Sequence, residues 1–568
     1  MTRPKGIDLE ELAADLVGQI DAYQADISDF KDRWDTVMNV YNDAPEHVLT
    51  SITWPSDVKR PYNWPLLQPR ADALADDLTD NLTRARPIFT NLAKLEDQES
   101  EDSLTGVRFI VAGDDIREKK EQAVDFALRR SNFEKRVRDS VLSSILKGRG
   151  ALRLQHVSVK SDSFDEVPDG MYPDQAGLER RYVGLYLESF AIEDFVCYPS
   201  TAENIQDSQT HGHRFVQRMK DILAKSKSGL YFGDLDFEFL GSGDVDQTVE
   251  ENEDDSKECY DLLTRIWDDD KKEEVLWRVV LLKNDQKILS MEQFSAPRSW
   301  YVAPSIRYEA NRFLPSRSLF EKGMELQTLV NDCVTAIVTG SLASAMQSLV
   351  IAGGTMDSSN VKLGFGEVLQ VKATPTSMTT LGGGAFNPGG LFNMIEYCER
   401  AAEQLFRVGA AGVGGESQRQ MTATQVSVMA EGQSRGYRSY TSNLALELEA
   451  LAELAAWLIE QNFEDYTSFY GELFPCQSMA DIESPAVFEL NSRSPNLSPD
   501  STIAKIEKFA ALATGLGVPF DAQKALRVAA NALDLGDSLE QTENAIPPAM
   551  GMPPPGDGGA APGLPIGA

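Results

Sequence analysis

The sequence predicts an α+β protein in which helices predominate. Two segments, Leu9–Tyr41 and Met421–Phe463, carry apolar residues three and four positions apart, which is the spacing of amphipathic helices. Residues Leu262–Glu292 instead alternate between apolar and polar side chains and are divided by two short polar turns, as in a β-meander. Helices and an antiparallel sheet formed by separate stretches of the chain are typical of the α+β class.

Composition narrows the functional classes before any motif is considered. The 568 residues carry 88 acidic and 54 basic side chains, a net charge of −34, so the chain as a whole should not hold DNA tightly by counterion release. Five cysteines without paired spacing indicate a reducing compartment and no disulfide framework. The charged start predicts no signal peptide, and the lack of a run of about 18 apolar residues predicts that nothing spans a membrane.

The N-terminal part begins with a regular apolar stripe over Leu9–Tyr41, which Asp8 is placed to cap as one helix. Aromatic residues at the far end of this stripe favour packing onto a globular body over a free coiled coil. The segment that follows, WPSDVKRPYNWP, should break the helix at its prolines and bury its tryptophans. Another helix is predicted over Gln68–Arg84.

Residues Arg117–Arg153 reverse the charge balance of the rest of the chain. Eleven lysine and arginine side chains oppose five acidic ones there. Three interpretations are open, in this order: a solvated helix face with i,i+4 ion pairs, a basic surface that meets an acidic neighbouring subunit, or a DNA contact. For the second interpretation, Arg129, Arg130 and Arg136 are the candidate residues of the subunit interface.

Three features in the middle of the chain have ordinary structural explanations. Tyr182–Pro199 alternates like β-strands and ends in a proline turn. His211 and His213 could face the same side of a strand, but a structural role is favoured over a metal pair because no further histidine lies nearby. The acidic stretch Gly243–Asp255 lacks the glycine of a calcium loop and is interpreted as an exposed loop.

The second half of the chain alternates helices with a small β-prone insert. Leu319–Met346 and Leu391–Arg407 are predicted helices. Between them, Leu349–Pro388 holds short β-prone pieces separated by glycine, proline, serine and threonine. Near the end, Ala486–Asn491 predicts a strand, and Ser498 is placed to cap the first of two short helices.

A glycine-rich polar loop, Gly409–Gln420, leads into the long helix of Met421–Phe463, which opens on the residues TATQV. Gly432 and Gly436 lie in the first half of this helix and predict a kink. The order of helix, glycine-rich loop and long kinked helix with this opening sequence resembles the portal proteins of short-tailed, double-stranded DNA bacteriophages. In that family a stem helix leads into a tunnel loop, and the wing helix opens near T-A-[TE]-[EQ]-[VI].

The resemblance covers most of the chain as an order of elements and is specific over Phe320–Leu458 and, to a lesser degree, over Glu121–Leu154. It implies a portal fold with wing, stem, clip, tunnel loop, long kinked helix and crown. The implied division is: 1–317 wing, with N-terminal helices and an α/β body containing the β-meander; 318–346 stem helix; 347–388 clip; 389–408 second stem helix; 409–420 tunnel loop; 421–497 long kinked helix and return to the wing; 498–545 crown helices; 546–568 disordered tail rich in proline, glycine and alanine.

The function implied by this resemblance is a passive DNA channel at one vertex of the capsid, for genome packaging, retention and ejection. The chain would form a homo-oligomer, a twelve-subunit ring assembled in the host cytoplasm and kept in the virion. The implied partners are the terminase large subunit, which hydrolyses ATP, head–tail adaptor or tail proteins, the major capsid or scaffold protein, and non-specific double-stranded DNA. No membrane partner is expected.

No enzymatic chemistry is expected. The sequence has no GxxxxGK[ST] phosphate loop, no GxSxG and no HExxH, and its four histidines offer few candidates for general acid–base work. The sequence therefore predicts no catalytic residue, no cofactor and no metal. Two alternatives are open: a non-portal structural scaffold or tail-assembly protein with long helices, and a metal-dependent nucleic-acid enzyme, which would need a cluster of carboxylates.

The site residues follow from the resemblance, because the tunnel loop of a portal projects into the channel at its narrowest point. Arg419 is expected to meet a DNA phosphate in a weak, salt-sensitive contact that does not read sequence. The residues expected to line the channel are Gly409, Gly412, Val413, Gly414, Gly415, Glu416, Gln418 and Arg419.

Overall fold

The fold is taken from a computed structural model of the chain. It describes residues 8–44, 47–52, 61–85, 87–93, 98–101, 108–111, 113–160, 181–232, 256–268, 272–345, 348–352, 368–371, 378–381, 386–406, 423–483 and 486–491. The chain divides into two compact units, Met1–Pro495 and Asn496–Ala568, and all described residues belong to the first. The predictions for 243–255, 409–420, 498–545 and 546–568 therefore lie outside the described residues.

Within the described ranges, helix accounts for more residues than strand, and several separate sheets are present, which confirms the α+β class. The α-helices are α1 (Leu9–Asp26), α2 (Ser28–Tyr41), α3 (Gln68–Thr83), α4 (Gly113–Arg130), α5 (Phe133–Lys147), α6 (Met219–Lys227), α7 (Leu319–Ala345), α8 (Gly389–Phe406), α9 (Ala423–Gln461) and α10 (Phe463–Tyr470). The strands are β1 (Phe89–Asn91), β2 (Gln98–Glu101), β3 (Arg108–Val111), β4 (Leu152–Lys160), β5 (Arg181–Ser189), β6 (Phe195–Tyr198), β7 (Thr210–Arg218), β8 (Ser256–Asp268), β9 (Glu273–Leu282), β10 (Lys287–Gln293), β11 (Tyr301–Val302), β12 (Ser348–Ala352), β13 (Val368–Val371), β14 (Met378–Leu381) and β15 (Phe488–Leu490).

The N-terminal stripe forms two helices rather than the single one predicted. Asp8 caps α1 as expected, since its Oδ1 accepts a hydrogen bond from the Glu10 N–H at 3.0 Å. The chain leaves the helical path at the buried Ile27, next to which the Ser28 hydroxyl donates to the Ala25 carbonyl at 2.9 Å. A serine that bonds the preceding turn competes with the helical backbone. Both helices still pack onto the body, as predicted, through Leu16, Ile20, Tyr23, Trp34 and Val37.

The largest sheet is antiparallel throughout, with the strand order β10-β9-β8-β7-β6. This confirms the predicted β-meander, whose strands are β8, β9 and β10. Alternate residues of β9 face opposite layers: Val279 and Leu281 pack with α1 and α2, whereas Val280 and Leu282 pack with α6. A strand buried on both faces needs this continuous apolar run.

Helix α5 ends at a glycine, and the chain continues from there into strand β4. Gly148 caps α5 with a φ of +99°, a conformation that strongly favours glycine. A Cβ atom at this position would also lie 2.5 Å from Cγ of Pro315. The chain is therefore turned sharply here into β4, which pairs with β5 and β11.

The second half of α9 is the centre of a helical core shared with α3, α4 and α5. Its inward residues Leu444, Leu448 and Leu451 are fully or almost fully buried. The predicted strand after it is confirmed as β15, which pairs antiparallel with β1, so that Leu490 lies opposite Phe89. The chain thus returns after α9 to the N-terminal part of the fold.

Candidate functional site

Helices α7 and α8 form an antiparallel hairpin, because each end of α7 contacts the opposite end of α8 or the residues just before it. A Cβ atom at Gly323, near the start of α7, would lie 3.4 Å from Cδ2 of Leu405 and 2.8 Å from Cδ2 of Leu67. A Cβ atom at Gly340 would lie 2.5 Å from Cε2 of Phe386. The two glycines therefore allow a closer approach than any other residue would.

A small sheet is inserted between the two helices of the hairpin, as predicted from the β-prone pieces. Its strand order is β13-β12-β14. Strand β12 runs parallel to β13 and antiparallel to β14. The hairpin therefore carries a three-stranded cap at the end where α7 stops and α8 begins.

The hairpin is buried at its base and exposed towards the cap. Near the base, Phe320 and Val330 of α7 and Ala402 and Phe406 of α8 are completely buried. Towards the cap, most described positions of α8 from Gly389 to Tyr397 are exposed. The hairpin thus projects from the helical core and offers both flanks to solvent.

Several large apolar side chains lie exposed on this projecting part. Tyr397 is 64% exposed and Phe392 is 54% exposed, and Met394 and Leu342 are also exposed. Tyr397 lies five positions after Phe392, which places the two side chains about 140° apart around α8. Apolar side chains on separate flanks of one projecting element indicate more than one interaction surface.

Four polar residues on one side of α7 hold an extended strap, defined here as residues 47–52 and 61–67. The side chain of Gln327 accepts hydrogen bonds from the N–H groups of Leu66 and Leu67, at 3.1 and 3.2 Å. Asn331 accepts from the Trp64 N–H at 2.9 Å. Asp332 and Thr335 accept from strap residues in the same way.

These polar residues were visible in the sequence only as interruptions of an apolar helix. Their spacing, at 327, 331 and 335, would have identified a polar stripe along one side of α7. The expectation that the tryptophans of the strap are buried is wrong for Trp64, whose side chain is 46% exposed. The backbone N–H groups of Tyr62 and Trp64 are bound by α7 while their side chains face solvent, whereas Leu66 and Leu67 of the same strap are buried.

The glycine-rich loop predicted to line the channel, 409–420, lies outside the described residues, so the roles of its residues stay predictions. Helix α9 is continuous over Ala423–Gln461 and includes Gly432 and Gly436. The prediction that the chain is helical at both glycines is therefore confirmed. The kink remains a prediction.

The three candidate interface arginines differ in what they already contact. Arg129 forms an ion pair with Asp125, one turn earlier in α4. The Arg130 guanidinium lies 4.4 Å from the ring centre of Phe126 and 4.7 Å from that of Tyr470. Within the described residues, the buried Nε of Arg136 has no hydrogen-bond partner. Because this atom is buried, it is not available to a neighbouring subunit, and the interface role of the three arginines stays a prediction.

Most other cations of the basic stretch tie its helices to distant parts of the same chain. Arg117 and Arg129 both follow the predicted i,i+4 pattern, Arg117 through a 3.9 Å contact with Glu121. The longer-range contacts are Lys119–Asp481 at 2.9 Å, Lys120 Nζ to the Ile482 carbonyl at 2.7 Å, Arg138–Asp76 at 2.5 Å, Lys147–Glu193, and Arg153–Asp261 at 2.9 Å. Much of the positive charge is thus neutralised inside the chain.

The two neighbouring histidines have the structural role that was favoured. His211 hydrogen-bonds through Nδ1 to Ser208 at 2.8 Å and through Nε2 to Ser299 at 2.7 Å, and His213 bonds the Tyr301 hydroxyl at 2.8 Å. Burial lowers the pKa of His211 to about 3 and that of His213 to about 4. Both rings are therefore neutral parts of the core at neutral pH.

Comparison with known proteins adds no assignment: no protein-family model matches the chain, and no curated protein is significantly similar to it. Among the helices of the described ranges, none combines the length and the apolar character that a membrane span requires. In the same ranges, no three His, Cys, Asp or Glu side chains are grouped as metal ligands.

Proposed function

We propose that this chain is the subunit of a phage portal, a ring-shaped DNA channel at one capsid vertex for packaging, retention and ejection of the genome. The observation that carries the proposal is one order of elements: a projecting helical hairpin with a small sheet inserted at its tip, and then, as the next described element, a helix of 39 residues. In the portal family this order corresponds to stem, clip, stem and wing helix.

The exposed apolar side chains of the hairpin support assembly into a ring. A ring closes when each subunit uses two different surfaces, one for each neighbour. Phe392 and Tyr397 lie on different flanks of α8, as a head-to-tail contact requires. Twelve copies, the number implied by the family, would then cover these side chains around the central channel.

The charge of the chain supports passage of DNA in preference to tight binding. The net charge is −34, and much of the basic stretch is paired within the chain. A negatively charged lumen repels phosphates and lets a duplex slide without reading its sequence. In this proposal, the terminase large subunit, adaptor or tail proteins, and capsid or scaffold proteins meet other surfaces of the ring.

Electron microscopy of the purified protein tests the proposal. Wild type should give closed rings with a central hole. The double substitution Phe392→Ser and Tyr397→Ser should reduce the fraction of protein in rings, while the free energy of unfolding changes by only about 0.5 kcal/mol, because both side chains are exposed. The matched control is Leu446→Ser, which removes an equally exposed apolar side chain from α9.

Filaments, open stacks or monomers in place of rings would overturn the portal proposal and favour a scaffold or tail-assembly protein. An equal loss of rings in the Leu446→Ser control would show that general surface polarity, not the hairpin, governs assembly. A ring whose hairpins point away from neighbouring subunits would also contradict the proposed contact.

A further inference from the structure

A cavity of about 240 Å³ lies where the end of α5, the start of α7, the end of α8 and the middle of α9 meet. Its lining includes three cationic side chains, Arg307, Arg317 and Lys322, together with Ser318 and Tyr440. No aspartate or glutamate belongs to the lining within the described part of the chain. This is a notable concentration of positive charge in a protein with a net charge of −34.

The three cations form few direct ion pairs within the described part of the chain, although the charges of Glu309 and Glu321 act on Lys322 from nearby. Across the described ranges, neither Arg307 nor Lys322 has a carboxylate within 4.0 Å. Arg317 has only a 3.9 Å contact with Glu325, and both side chains are largely exposed, so the pair contributes little. An added anion would therefore find cations that are not already taken.

The nearest carboxylates are held by other groups. Glu309 accepts hydrogen bonds from the N–H and the hydroxyl of Ser316, at 2.8 and 3.1 Å. Glu321 accepts from the Ser318 N–H at 2.6 Å and lies 3.6 Å from Arg33. Burial and then the positive charge of Arg307 lower the pKa of Lys322, although both carboxylates oppose this shift.

We propose that this cavity binds a phosphate-class oxyanion, either a free phosphate or the phosphate of a nucleotide or nucleic acid. Guanidinium groups pair with phosphate oxygens through two parallel hydrogen bonds, and an ammonium group adds a compact charge. This inference does not depend on the proposed ring.

The test is calorimetric titration of the full-length protein with sodium phosphate and, separately, with a short DNA duplex. The double substitution Arg307→Gln and Lys322→Gln should weaken phosphate binding by about tenfold for each charge removed. The matched control, Lys220→Gln and Lys227→Gln, removes the same charge from exposed positions of α6 and should bind like wild type. The exchange Arg307→Lys with Lys322→Arg should retain binding, because it keeps both charges.

The two ligands distinguish the source of the phosphate. If the cavity variant loses duplex binding as well as phosphate binding, the ligand is a nucleic-acid phosphate; loss of phosphate binding alone identifies a free anion or nucleotide. No binding of either ligand by wild type, or equal loss in the cavity and control variants, would overturn the inference. Electron micrographs of the same samples report ring assembly separately, so the two proposals can fail independently.

Discussion

The five-stranded sheet and the α7–α8 hairpin use their side chains in opposite ways. In the sheet region, charged groups are largely buried and paired with each other, as in the contact of Asp261 with Arg153 and Arg278. On the hairpin, large apolar groups such as Tyr397 stay exposed. A region that satisfies its own polar groups supports the fold, whereas a region that leaves apolar surface uncovered gains from a partner.

The buried ion cluster of the sheet region is built across three elements. Arg278 of β9 donates two hydrogen bonds to the Asp261 carboxylate of β8, both at 3.0 Å, and Arg153 of β4 adds a third at 2.9 Å. The Trp300 ring lies 4.7 Å from the Arg278 guanidinium and 5.1 Å from that of Arg153. Burial alone would raise the pKa of Asp261, but the two guanidinium groups outweigh it and lower the pKa.

The largest effect is expected when this cluster is broken. Asp261→Asn removes the buried carboxylate that Arg153 and Arg278 share, which should cost about 3–5 kcal/mol of unfolding free energy. Urea denaturation of the purified protein measures the loss. The matched control is Glu292→Gln, which removes the other carboxylate bound to Arg278 at 2.8 Å but at an exposed site, and should cost about 1 kcal/mol or less.

If Asp261→Asn were as mild as Glu292→Gln, the cluster would not support the sheet region, and the contrast with the hairpin would be lost. The cluster itself could not be read from the sequence, because Arg153 and Asp261 are 108 positions apart and only the pairing of the elements joins them.

An intermediate effect is expected at the tip of the hairpin. In Gly340→Ala, the added Cβ would lie 2.5 to 2.8 Å from three atoms of the Phe386 ring. Overpacking of this kind costs about 1–3 kcal/mol, which exceeds the gain of about 1 kcal/mol from the better helix former. Thermal denaturation should therefore show a lower midpoint, and the second substitution Phe386→Ala should recover part of the loss.

A glycine-to-alanine substitution in the sheet region should instead raise the free energy of unfolding. Gly18 of α1 is exposed, and nothing lies within 4 Å of a Cβ built there. Gly18→Ala should therefore stabilise the protein by about 1 kcal/mol. A gain in stability from both glycine substitutions would show that the close contact of α7 with Phe386 does not constrain the hairpin.

The sequence predicted elements better than it predicted their partners. The spacing of apolar residues was enough to locate α3, α7, α8 and α9, and the turns enough to locate β8, β9 and β10, because each signal is local. The break at Ile27 was missed, because the apolar stripe continues through it without a proline or a glycine. Most partners of the basic stretch were missed for another reason: Lys119 and Arg138 meet carboxylates that lie far away in sequence.

The candidate site was predicted in outline only. The β-prone insert and its flanking helices were found, but the strap was not, because its hydrogen bonds join its backbone to polar side chains of α7 more than 250 positions later. The cationic cavity was also missed. Its charged lining comes from residues around the start of α7, where cationic and acidic residues alternate in the sequence. The sequence does not reveal that Glu309 binds Ser316 and that Glu321 binds Ser318.

A change in pH dependence is expected to report on the sheet region alone. The chain has four histidines, and none lies in α7 or α8. His213 faces Arg153, Asp261, Asp194 and Arg278, and burial followed by the charge of Arg153 lowers its pKa to about 4. An unfolded chain binds a proton on histidine near pH 6.5, whereas the folded protein binds one at His213 only near pH 4.

The direction of the effect follows from this difference in proton binding. The stability contributed by the neutral ring is complete above about pH 6.5 and is lost as the pH falls towards about 4, by up to about 1.4 kcal/mol per pH unit. His213→Gln should therefore reduce the slope of unfolding free energy against pH in this window, as measured by urea denaturation at a series of pH values. His47→Gln, at an exposed position outside the sheet, should keep the wild-type slope. An unchanged slope in His213→Gln would mean that the ring is not buried in its neutral form. The hydrogen bond between His213 and Tyr301 could then no longer be counted among the buried polar contacts that distinguish the sheet region from the hairpin.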